Sequence, residues 1–320
     1  MNIKFMTGLL VVGAVVGAAV ALNFPRIRFT VHVIGEDGEP IPGVQTSYNF
    51  NQDSSTEDKI IQVTEVTDSN GNFTTEGYSR YGIVAGQPLI KDGYYPGTPG
   101  LPPFRGVKDG HWQPWDGTYT TVLRKIENPI PMYAKVYNVD IPIIGQPCGY
   151  DLEVGDWIGP YGKGRVADFI FTLQRQYQNY FNFDVSVALT FPNSGDGIQV
   201  TELPKEFDNS MFKWPRLAPE DGYQPTMTLR FAETGGTPTQ NNVTQGEVYF
   251  FRVRTVEQNG KIVSALYGKI NAGLGLSPGH SKTCKIQLYY YLNPTPNDRN
   301  MEYGGTLFKN LSEFDVPRAP

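Results

Sequence analysis

The segment Glu247-Val248-Tyr249-Phe250-Phe251-Arg252-Val253-Arg254-Thr255-Val256-Glu257-Gln258-Asn259-Gly260-Lys261-Ile262-Val263-Ser264-Ala265-Leu266-Tyr267-Gly268-Lys269-Ile270 decides the fold class. Two runs rich in β-branched and aromatic residues flank Asn259-Gly260, and Asn-Gly supplies the positive φ that a tight hairpin turn needs. The reading is a β-hairpin over Glu247–Glu257 and Lys261–Ile270. Working outward, the same alternation marks Phe29–Val33, Ile60–Thr67, Tyr119–Lys125, Lys135–Val139, Tyr150–Val154, Phe183–Phe191, Ile198–Thr201, Thr226–Ala232 and Lys282–Leu292 as strands. Val166–Leu173 is ambiguous, because Val166, Phe169, Ile170, Leu173, Tyr177, Tyr180 and Phe181 also fit a helical stripe. No N-cap residue precedes Val166, and its neighbour Phe183–Phe191 alternates cleanly, so a strand is expected, with Gln174–Asn182 as the connecting turn region.

Composition agrees. The 320 residues include 35 Gly and 25 Pro, 13% are aromatic, and 18% are charged, against about 25% charged in an average globular chain. This excludes a coiled coil, a mostly helical bundle and a disordered charged tail. Length is consistent with two domains. The expected class is all-β, with two β-sandwich domains.

The amino terminus has the pattern of an export signal. Lys4 precedes the uncharged, apolar Thr7–Leu22, and Ala19-Val20-Ala21 fits the small-x-small cleavage pattern, placing cleavage after Ala21. The alternative is an uncleaved anchor extending to Arg26. The net charge of −5 and the lack of any Lys/Arg cluster argue against nucleic acid as a partner. Membrane association is expected only if the N-terminal segment stays in place. Expected localisation is periplasmic, cell-envelope or secreted. Three Asn-x-Ser/Thr sequons, at Asn72, Asn242 and Asn310, matter only in a eukaryotic host, and the export signal looks bacterial.

Between Phe29 and Tyr94 the order of features is specific. A strand leads to Gly38-x-Pro40-Ile41-x-Gly43-Val44. A long excursion follows, then Thr67-Asp68-x-x-Gly71-x-Phe73, and finally Lys91-x-Gly93-Tyr94. This resembles the carboxypeptidase regulatory-like domain, over roughly Ile27–Lys125. The resemblance implies a transthyretin-like (prealbumin-like) β-sandwich for residues 27–126 and an accessory, non-catalytic role. The copy departs from the family pattern in a polar insertion, Asn49–Lys59, and in a long loop after Lys91. That loop, Tyr94–Gly117, holds five Pro and five Gly together with Tyr94, Tyr95, Phe104, Trp112 and Trp115. Loops beyond about 12–15 residues are uncommon and tend to be functional or disordered, and aromatic content argues against disorder. Two readings stay open: Phe104, Trp112 and Trp115 form an exposed platform for a ligand, or these rings are packed inside.

Asn128-Pro129-Ile130-Pro131 marks a boundary, so residues 127–292 form the second all-β domain, a jelly roll or another antiparallel sandwich. Residues 293–320 read as a C-terminal tail. Lys205–Gln224 reads as loop anchored by Phe212 and Trp214.

Chemistry-bearing motifs are sparse. His32, His111 and His280 have no zinc-ligand spacing. Nucleophile-elbow, phosphate-loop and dinucleotide motifs are absent. Asp68-x-Asn70-x-Asn72 begins like a calcium loop, but the sixth and twelfth positions are Phe73 and Ser79 rather than Gly and Glu. No cofactor, metal or catalytic residue is expected. Cys148 and Cys284 could pair in an exported chain, or each could be a small buried residue. Asp151 and Glu153 share one face of a strand and read as a solvated, aggregation-deterring edge. The resulting expectation is an exported, non-catalytic binding or structural protein whose partner is a carbohydrate or another envelope protein. The alternative is a polysaccharide-acting enzyme using carboxylates the sequence does not identify.

Overall fold

Alternation of side chains with period two is realised directly in β1 (Arg26–Ile34), where Ile27, Phe29, Val31 and Val33 are all buried and the residues between them are not. The computed structural model describes residues 24–52, 59–82, 84–242, 248–271, 274–278 and 282–317. Cleavage after Ala21, His280 and most of the polar insertion lie outside the described residues. No helix among the described residues is long and apolar enough to cross a membrane.

The first sandwich continues with β2 (Gln45–Asn51), β3 (Ile60–Val66), β4 (Asn72–Tyr78), β5 (Val84–Gly86), β6 (Val107–Lys108), β7 (His111–Trp112) and β8 (Gly117–Val122). One sheet has the order β4-β1-β7-β6, with β8 pairing parallel to β1; the other has the order β3-β2-β5. Their shared core contains Ile27, Phe29, Val31, Val33, Ile41, Val44, Tyr48, Phe50, Phe73, Leu89 and Leu123. Thr67 ties two halves of the sequence pattern together: its Oγ1 donates to the Ile41 carbonyl at 2.7 Å and accepts from the Val44 amide at 2.8 Å. Gly71 has φ +72, and a Cβ there would sit 2.5 Å from the Val33 carbonyl oxygen, so only glycine fits.

The second sandwich comprises β9 (Ile130–Asp140), β10 (Pro147–Asp151), β11 (Asp156–Trp157), β12 (Phe169–Asn179), β13 (Asn182–Thr190), β14 (Gly197–Thr201), β15 (Thr226–Thr234), β16 (Thr237–Asn241), β17 (Val248–Gln258), β18 (Lys261–Ile270), β19 (Gly275–Ser277), β20 (Lys285–Leu292) and β21 (Tyr303–Thr306). The sheets run β11-β10-β12-β13-β15-β16 and β14-β17-β18-β20-β9-β21, with β19 off β20. Their inner faces meet in the largest core, which includes Tyr150, Phe169, Phe171, Val187, Phe251, Ile286 and Tyr290. The Asn259-Gly260 hairpin forms as read, with Gln258 opposite Lys261 and both turn residues at positive φ.

Two expectations need correction. The strand expected at Val166–Leu173 starts at Phe169 and runs on to Asn179, so most of the expected turn Gln174–Asn182 is strand, and the reversal is confined to Tyr180 and Phe181. Polar Gln174, Gln176 and Gln178 mark an outward face rather than a break. Residues 293–320 are not merely a tail: β21 pairs parallel with β9, and Asn293, Asn300, Met301 and Glu302 are buried. For Cys148 and Cys284, where pairing and simple burial both stood open, both residues are buried in the second core as free thiols. β17 is buried on both faces from Val248 to Val253. Tyr249, Phe251 and Val253 enter the sandwich core, while Val248 and Phe250 meet Phe212, Trp214 and Met301 in a third apolar cluster.

Candidate functional site

The loop Tyr94–Gly117 is the obvious starting point. It is less irregular than its composition implies, because β6 and β7 form a small hairpin around Asp109-Gly110, both at positive φ, and His111 pairs with Arg26 of β1. Phe104 and Trp112 are half-buried against the first core. The Phe104 ring lies 6.1 Å from that of Phe29, and Trp112 donates its indole N–H to the Ser79 carbonyl at 2.8 Å. Trp115 sits apart from them, half-buried, with its ring 4.1 Å from His111 and 6.0 Å from the Arg26 guanidinium. The three candidate rings therefore do not form one platform: two close the sandwich, and one stacks beside a histidine and an arginine.

The base of the same loop leads to the junction of the two sandwiches. Tyr95 is buried among Phe212, Trp214 and Phe250 of the second domain. Its hydroxyl donates to Glu302 Oε1 at 2.9 Å. Glu302 also accepts the backbone amides of Glu127 and Asn128, each at 2.8 Å, and pairs with Arg216 at 3.2 Å. Burial would raise the Glu302 carboxyl, but these amides, the tyrosine and the arginine outweigh it and hold it below the usual range. Arg216 extends to Glu36 at 2.6 Å and Glu127 at 3.3 Å, and Glu36 takes a second arginine, Arg124, at 2.7 Å. Arg124 in turn donates to the carbonyls of Phe212 and Trp214.

Lys269, fully buried on β18, completes the junction. Its Nζ donates to the Met301 carbonyl at 2.7 Å and lies 4.9–5.2 Å from the ring centres of Tyr291, Trp214 and Phe212. Burial, and secondarily the Arg124 charge, push this amine well below its ordinary value, against the pull of Glu302. Sequence reasoning missed Lys269. The available signal was its place on the face of β18 that also carries Ala265 and Tyr267.

The second charged group joins the two sheets of the larger sandwich, and it corrects the reading of Asp151 as a solvated edge. Asp151 and Asp168 are almost fully buried. Asp151 accepts the amides of Glu153, Val154, Arg165 and Val166. Asp168 accepts the Leu152 amide and a two-pronged contact from Arg254, at 2.7 and 3.0 Å. Arg254 also reaches Asp151 at 3.3 Å and Glu153 at 2.7 Å. Burial favours a raised value for both acids. At Asp151 the amides of Arg165, Val166 and Val154 win, and its carboxyl lies below the usual range; at Asp168 burial wins over Arg254 and the value is raised.

Of the remaining residues singled out in the sequence, His32 lies on the half-buried outer face of β1 and bonds Asn72 through Nδ1 at 2.8 Å. Asp68 receives the amides of Asn70 and Asn72 in a turn that carries the chain from β3 in one sheet to β4 in the other, so this Asn-Gly turn is not a hairpin. Burial pushes the Cys148 thiol up to about 12 and the Cys284 thiol up to about 11. Among the described residues no group of three or more His, Cys, Asp or Glu is placed to hold a metal ion.

No family model and no curated protein matches the chain. Among solved structures, the crystal structure of a mutant of the shaft pilin SpaA from Lactobacillus rhamnosus GG aligns with a TM-score of 0.21 and 11% identity, over 53% of this chain and 89% of the pilin chain. A TM-score of that size carries no argument about function, which rests on the residues themselves.

Proposed function

We propose that this chain is an exported, non-catalytic binding or structural protein of the cell envelope or extracellular space. In this reading a carboxypeptidase regulatory-like sandwich and a larger sandwich act as one stiff body. The observation that carries it is the use made of the buried acids. Asp151, Asp168, Asp196 and Glu302 each accept backbone amides, and all but Asp196 also engage an arginine. A carboxylate spent on fixed donors is poorly placed to exchange protons with a substrate. The same bonds tie sheet to sheet and domain to domain, which suits a spacer or binding module. The export pattern before Ala21 and the resemblance over residues 27–125 support the same reading. The partner is a carbohydrate or another envelope protein.

The test is incubation of the purified protein with insoluble polysaccharides and with envelope fractions, assaying both retention and release of reducing ends or peptides. Retention without release is the expected result. Turnover of any of these polymers would overturn the reading in favour of an enzyme.

A further inference from the structure

The far end of the β12–β13 hairpin turns two adjacent large rings outward: Tyr180 is 53% exposed and Phe181 56%. The backbone beneath them is fixed. The Phe181 amide and the Asn182 side-chain amide both donate to Asn179 Oδ1, at 2.9 and 3.1 Å. The neighbouring β15–β16 turn is bonded to the same end, with the Gly235 amide donating to Asn182 Oδ1 at 3.0 Å and the Gly236 amide to the Phe181 carbonyl at 3.1 Å. Gly236 allows close approach: the Phe181 ring and Glu233 Oε1 both lie within 4.0 Å of the point where its Cβ would be.

Beside these rings is a cavity of about 290 Å³ lined by Gln176, Gln178, Asn182, Asp184, Glu233 and Thr234, with Phe183. The register explains the grouping, since Gln176 lies opposite Asp184 and Asn182 opposite both Asn179 and Thr234. Side chains of Gln176, Gln178, Glu233 and Thr234 make no hydrogen bond to other described residues. Asp184 is held by Arg230 through two contacts, at 3.0 and 2.7 Å. No lysine or arginine lines the cavity.

This chemistry selects a ligand class. Amide side chains both donate and accept, and carboxylates accept, so together they match an array of hydroxyl groups. The negative face of an aromatic ring suits the C–H face of a sugar ring, and rigid rings contribute contact area at low entropy cost. Two acids and no free cation disfavour an anionic ligand. A pre-formed backbone reduces the ordering cost of binding. We propose that the Tyr180–Phe181 end of the second sandwich, with its adjoining cavity, binds a neutral oligosaccharide. This rests on the non-catalytic binding reading and names its ligand class and location.

The experiment is calorimetric titration of the purified protein with cello-, xylo-, manno- and chito-oligosaccharides. The variants are Gln178→Ala, Phe181→Ala and the double change Tyr180→Ala/Phe181→Ala. Binding of at least one oligosaccharide is expected, weakened about tenfold or more by the double change, with an unchanged melting temperature. Binding that persists in all three variants, or no binding across the panel, overturns the proposal. Hydrolysis of a bound oligosaccharide would instead overturn the non-catalytic reading and leave the location of the site standing, if the variants still lose affinity.

Discussion

Two aromatic-rich regions of this protein spend their rings in opposite ways. In Tyr94–Gly117, Tyr95, Phe104 and Trp112 turn inward and every one has packing or a hydrogen bond to its name. At Tyr180–Phe181 the rings face water although the backbone is as firmly tied. Packed and displayed rings thus both occur on hairpin backbone, Trp112 on β7 being half-buried against the first core and Tyr180 and Phe181 at the β12–β13 turn being exposed. The lesson is that loop composition does not locate a binding surface. A long loop packs its rings against the first core, whereas the turn after the 11-residue strand β12 leaves more than half of each ring in water, with Tyr180 and Phe181 edge to face at 5.4 Å.

The sharpest way to break this contrast is at the junction beneath Tyr95. Glu302→Ala strands the Tyr95 hydroxyl, two backbone amides and Arg216, and should cost about 3–5 kcal/mol, as removal of one partner of a buried pair does. Urea denaturation measures it, and a loss below about 1 kcal/mol would mean that the junction does not hold the two sandwiches together. Trp112→Ala comes next. A fully buried Trp→Ala change costs about 3–5 kcal/mol, and for this half-buried ring about 2–3 kcal/mol is expected in the same assay. Unchanged stability would return the loop to the status of an exposed platform.

Lys269→Met probes the buried amine through pH. Between its depressed folded value and its ordinary value near 10.4, the unfolded chain binds more protons at Lys269 than the folded protein does, so stability rises with pH in that window. Wild type should therefore gain on the methionine variant as pH climbs toward 10, by at most about 1.4 kcal/mol per pH unit for one proton. Denaturation curves of the two proteins at several pH values give the difference, and a pH-independent difference would sink the assignment. The smallest effect is expected at the other pole: Tyr180→Ser and Phe181→Ser should each stay within about 0.5 kcal/mol of wild type, as exposed substitutions do. A thermal melt showing strong destabilisation would mean that the tip is packed after all.

Much of the strand pattern was legible because period-two alternation is local. Phe29, Val31 and Val33 announce β1, and Asn259-Gly260 announces the longest hairpin. The candidate site was less legible. Asp151 looked like surface because a strand face of acids is usually solvated, and the arginine that pairs with it, Arg254, lies 103 residues away. Tyr180 and Phe181 were absorbed into an expected turn because Gln174, Gln176 and Gln178 look like loop residues when the sheet's exposed outer face is not in view.

By itself the sequence determined that this chain is all-β, where many of its strands run, and where the longest hairpin turns. Those properties depend on residues within a few positions of one another, where backbone sterics and alternation act directly. Only the tertiary structure decided which rings are hidden, that β21 adds to the second sandwich beside β9, and that Lys269, Glu302, Arg124 and Arg216 meet at one junction. Each of these depends on pairing between distant segments. The free energy of burying a ring or a charge is set by what arrives on its other side, and no local pattern records that.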